Sequence, residues 1–129
     1  MTSYTLPAPD APAEEWGRLA VSLPGWRWMP GMCNVVPPRR DGPGFASRIL
    51  DAELTGPPPL TGLPDPDDPA TAGCLLALLS PECHRVTTGI EDDESWAWWD
   101  GGEWHDSATL GRACIAAAAA LGRWPGGTH

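Results

Sequence analysis

Lysine and glutamine are missing altogether from this 129-residue chain, and its eight basic residues, all arginine, face seventeen acidic ones, for a formal net charge of −9. Phosphate contact needs cationic neutralisation, so direct binding of nucleic acid is not expected. The acidity instead steers the chain toward basic surfaces, including those of nucleic-acid-binding proteins. Long apolar runs are also lacking. The longest, Ala113 to Leu121, is mostly alanine and falls well short of the roughly 20 residues that cross a bilayer. The segment Met1-Thr2-Ser3-Tyr4-Thr5-Leu6-Pro7 has neither the basic nor the apolar region of a signal peptide, so a cytoplasmic protein without a membrane partner is expected.

Cysteine is sparse, and Cys33, Cys74, Cys83 and Cys114 form no C-x-x-C pair. Cys74 and Cys114 fall within helical apolar patterns, where a buried free thiol is the expected state. Zinc sites bring ligands in close pairs, a spacing that Cys33, Cys83, His84, His105 and His129 do not offer. No G-x-S-x-G, Walker loop or dinucleotide fingerprint is present. Neither an enzyme nor a cofactor is expected; were there chemistry, Cys83, His84 and His105 would be the residues to test.

What is present is ample for one small globular domain over 1–129, with 42% apolar residues. The pattern predicts three helices, at about 11–22, 69–79 and 107–121. Asp10 or a neighbour is expected to cap the first, and Asp106 or Ser107 the last. In the middle one, Asp67 or Asp68 supplies the cap, Pro69 fits the first helical position, and Cys74, Leu75, Leu78 and Leu79 recur at helical spacing. Short strands are expected near 26–36 and 45–54, with a meander over 84–105 that turns at Asp100-Gly101-Gly102. The three helices then pack on a small, mostly antiparallel sheet, an α+β fold. Residues 55–66, with Pro57, Pro58, Pro59 and Pro64, read as an extended proline-rich connector. Trp124 is positioned to fold back onto the core.

Two blocks, WRWMPGM (Trp26 to Met32) and PDPDDPATAGCLLALL (Pro64 to Leu79), resemble a group of small proteins encoded in bacteriophage and prophage genomes. The resemblance implies a small single-domain protein working inside a bacterial host cell. It brings no catalytic residues with it.

Eight tryptophans are the compositional outlier, and Trp96, Trp98, Trp99 and Trp104 crowd into one stretch. On a strand, Trp96 and Trp98 share a face and Trp99 points to the other, so part of the cluster belongs to the core and part to a surface. Exposed tryptophan anchors interfaces and stacks on sugars. Beside it lie Glu91, Asp92, Asp93 and Glu94, the densest acidic run. These eight residues form the candidate partner-binding set. The expected function is non-enzymatic binding to a host or phage protein with a basic surface, with inhibition of a host defence complex as one concrete form. A small-ligand or sugar-binding module and a phage-assembly accessory protein are the alternatives. Oligomeric state is not legible.

Overall fold

The computed structural model describes residues 5–8, 10–29, 31–36, 44–48, 62–88 and 96–127. Within them run α1 (Ala13–Ser22), β1 (Cys33–Val36), β2 (Phe45–Arg48), β3 (Leu63–Pro64), α2 (Pro69–Leu79), β4 (Val86–Thr88), β5 (Trp96–Trp99), β6 (Trp104–Ser107) and α3 (Leu110–Leu121). The class is α+β. Helices α1 and α2 fall where the apolar periodicity places them.

Asp68 caps α2, its carboxylate accepting from the Thr71 amide and hydroxyl, both at 2.9 Å. The same Thr71 hydroxyl oxygen accepts from the Cys33 amide at 2.7 Å and so ties the helix start to β1. Thr71 is fully buried. Thr71→Val keeps the shape but removes the hydroxyl that links the Asp68 carboxylate to the Cys33 amide, and should lower the unfolding free energy by about 2 kcal/mol in urea denaturation.

The other two caps differ from expectation. Pro12, not Asp10, occupies the N-cap of α1, with no side-chain hydrogen bond there. Strand β6 runs on through Ser107, which moves the start of α3 to Leu110 and makes Thr109 its cap. At the far end Gly122 takes a left-handed conformation (φ 81°), reverses the chain and delivers Trp124 to the core. There the indole N–H donates to the Ala20 carbonyl at 2.9 Å, fully buried as the sequence suggests.

The strands form two antiparallel sheets rather than one, in the orders β2-β1-β3 and β4-β5-β6. Three departures from the expected strands accompany the division. Trp26 and Trp28 alternate like a strand, yet their rings meet edge to face at 5.4 Å and pack on the core without a ladder. The ladder of β1 therefore begins only at Cys33. His84 and Arg85 lie in a 3₁₀ turn (Glu82–Arg85) where Arg85 bonds the Glu82 carboxylate at 3.0 Å, so β4 begins at Val86. Part of the expected connector is packed structure: Leu63–Pro64 pairs with Val35 and Asn34. Proline, lacking an N–H, suits the edge that β3 occupies. Residues 49–54 and 55–61 lie outside the described ones.

The helices lie against both sheets, α1 on β3 and α3 on β4, β5 and β6. Small side chains permit the close approaches. A Cβ at Gly111 would collide with the Pro66 carbonyl oxygen. Around this contact Ala113, Ala116 and Ala117 of α3 meet a core of Leu75, Leu78, Leu79, Ile115, Leu23, Met32 and Trp16.

Candidate functional site

The β5–β6 hairpin is the surface on which most chemistry-bearing side chains converge. Its register pairs Trp98 with His105 and Trp99 with Trp104. Alternation places the first pair on one face and the second on the other. Inside, Trp98 is 8% exposed and belongs to the core, while Trp96 packs partly buried beside it. Outside, the Trp99 and Trp104 rings sit 5.3 Å apart, tilted by 56°. Trp104, 42% exposed, is the large hydrophobic residue left open to water among the described ones. The division expected from the strand pattern is therefore present.

The turn organises itself around Asp100. One carboxylate oxygen accepts from the amides of Gly102 (2.7 Å) and Glu103 (2.8 Å), and Gly101 takes the positive φ of 105° that lets the chain reverse. The other oxygen meets His105 Nε2 at 2.6 Å. The bond from His105, reinforced by the two backbone amides, lowers the Asp100 pKa to about 2. The His105 ring is itself stacked on Trp98, with centroids 4.5 Å apart. A ¹³C carboxyl titration should find Asp100 ionising near pH 2, and His105→Phe should move it up toward the ordinary value. An unchanged titration in that variant would assign the shift to the backbone amides alone.

Asp100, Glu103 and His105 bring one potential ligand atom each within 4.8 Å of one another, the group of this kind found among the described residues. Two donors on one tetrahedral zinc ion, each ~2.0–2.1 Å from it, stand about 3.3 Å apart. The 2.6 Å separation of His105 and Asp100 is that of a direct hydrogen bond, with Glu103 3.8 Å from the same nitrogen. The cluster is a hydrogen-bonded pair as it stands. His84 instead approaches Glu82 at 3.5 Å. Burial, with Cys83 nearby, pushes the Cys114 thiol up to about 12, so it is a packed hydrophobe and not a nucleophile.

Glu91, Asp92, Asp93 and Glu94 lie outside the described residues, as does His129. Sequence reasoning paired neither His105 with Asp100 nor His105 with Trp98. The cross-strand register of an Asp-Gly-Gly hairpin was the signal available for both. It also did not bring Leu6, Pro7 and Trp16 to the inner face of the hairpin, where they border a cleft with Trp98 and His105. No local pattern announces that meeting. No helix among the described residues is long and apolar enough to cross a membrane. No protein-family model, curated protein or solved structure matches the chain.

Proposed function

We propose that this chain is a non-enzymatic, cytoplasmic binding protein of phage or prophage origin that docks on a basic protein surface through the outer face of the β5–β6 hairpin. Blocking a host defence complex is one form such docking would take. The observation that carries the reading is the outward Trp99–Trp104 pair, held side by side across the hairpin with Asp100 and Glu103 at its tip. Paired indoles give a rigid apolar anchor at low entropic cost, and the surrounding carboxylates steer a cationic partner. The resemblance of the 26–32 and 64–79 blocks to phage-encoded proteins supports a bacterial cell as the setting.

The test is capture from a bacterial lysate with the wild-type chain beside a Trp99→Ser/Trp104→Ser variant of verified fold. A single protein or complex should be retained by the wild type, released by raised salt and absent with the variant. Retention that the variant leaves undiminished would overturn the assignment to this face.

A further inference from the structure

On the hairpin's inner face, opposite Trp99 and Trp104, a cleft of about 430 Å³ opens between the N-terminal segment and the second sheet. Leu6, Pro7, Trp16, Trp98, His105, Asp106 and Ser107 line it. The volume falls in the range of small-molecule sites, and the lining has their usual character, apolar and aromatic with few polar groups.

We infer that this cleft binds a small organic cation with a flat apolar body, of the arylalkyl-ammonium kind. Three independent features define that class. First, the three polar side chains of the lining, His105, Asp106 and Ser107, are all left as acceptors. Ser107 donates its hydroxyl proton to the Thr109 carbonyl at 3.3 Å, which leaves the oxygen lone pairs. A neutral His105 that donates from Nε2 to Asp100 keeps a bare Nδ1, for which no protein donor exists among the described residues. A ligand that donates hydrogen bonds is therefore favoured over one that accepts them.

Second, the charge of the lining itself is negative. None of the seven lining side chains carries a formal positive charge while His105 is neutral, whereas Asp106 lines the cleft and Asp100 and Glu103 stand on the same hairpin. An anion entering the cleft meets repulsion and a cation meets attraction. Third, Trp16 and Trp98 supply indole rings, the strongest of the side-chain π systems toward a cation. His105 stacked on Trp98 and Trp16 donating to the Ala8 carbonyl at 3.1 Å hold these rings in place before any ligand arrives.

The test uses phenethylammonium and phenylacetate, near-isosteres of opposite charge, titrated into the full chain at pH 7.5 while the indole N–H resonances are followed by NMR. Phenethylammonium should saturate with a Kd on the order of 1 mM, moving the Trp16 and Trp98 signals. Phenylacetate should bind at least about tenfold more weakly. His105→Phe keeps a ring on Trp98 but removes the acceptor, and should weaken phenethylammonium by about fivefold. Ser107→Val, which removes another acceptor and narrows the cleft, should weaken it comparably and serves if the first variant misfolds. The Trp99→Ser/Trp104→Ser variant, altered only on the opposite face, should bind as the wild type does. Equal binding of both probes, no saturation by phenethylammonium, or full affinity in the folded cleft variants would each overturn the inference.

Discussion

Asp67→Ala should lower the unfolding free energy by about 3 kcal/mol, more than Arg112→Ala, at about 2 kcal/mol. Arg112 is nearly buried, and its guanidinium grips Asp67 through Nε and Nη2, both at 3.0 Å. Its Nη1 donates to the Ala11 carbonyl at 2.6 Å. Thr109, the cap of α3, donates to the same carboxylate at 2.9 Å. The loop before α2, the first turn of α3 and the chain entering α1 thus meet at one ion pair. Removing Asp67 leaves a buried cation with its main counter-charge gone. Removing Arg112 leaves a carboxylate that water reaches, since the Asp67 side chain is 37% exposed. That asymmetry sets the order of the two effects. Asp67→Ala/Arg112→Met should recover part of the loss, because a buried pair exchanged for apolar packing costs less than a broken one.

The pair also gives a direction with pH. Partial burial of Asp67 opposes ionisation, but hydrogen bonds from Arg112 and Thr109, with the guanidinium charge, outweigh it and hold the carboxyl below its ordinary value. A carboxyl lowered on folding stabilises the fold above its unfolded pKa of about 3.9, and that contribution fades as pH falls through the folded value. The gap between wild type and Asp67→Ala in urea denaturation should therefore be widest near neutrality and narrow in acid. A gap that widened in acid would show that Asp67 acts through something other than its charge.

Replacing both Trp99 and Trp104 by serine should weaken the interaction with the captured partner by at least about 100-fold, the size expected when a hot-spot pair is lost. Stability should change little by comparison, because neither ring belongs to the core. Trp98→Ala makes the contrast. That ring is a core residue, so its loss should cost about 3 kcal/mol of folding free energy and reduce binding only through unfolding. Calorimetric affinities of folded variants, read beside their melting curves, separate the two kinds of tryptophan. If the Trp99/Trp104 variant bound fully while remaining folded, the outer face would not be the anchor.

Periodicity made α2 legible because every signal there is local: a cap, a proline at the first helical position and an apolar repeat within one segment. The hairpin was legible for the same reason, and strand alternation alone sorted Trp98 from Trp99. Where partners lie far apart in the chain, local pattern was silent. Trp26-Arg27-Trp28 alternates convincingly, but a strand needs a neighbour to bond, and these rings found one another and Trp124 instead. Leu63–Pro64 reads as connector by composition, yet it adds an edge to β1. Asp67 and Arg112, separated by 45 positions, carry no mark in the sequence that they would meet. The inner cleft unites the segments around residues 6, 16, 98 and 107, a juxtaposition made only by the completed fold.

The indole of Trp124, bonded to the Ala20 carbonyl 104 positions earlier, has a temporal meaning as well as a spatial one. The first helix cannot acquire its finished packing until nearly all of the described chain has been made. Arg112, reaching Ala11 across 101 positions, imposes the same delay. Contacts of such separation are costly to close and form late, so the emerging chain carries a half-covered Trp16 and Leu23 through most of its synthesis. A ribosome-stalled chain ending before residue 124 would thus present, for chaperones or proteases, the apolar surface that the released protein conceals.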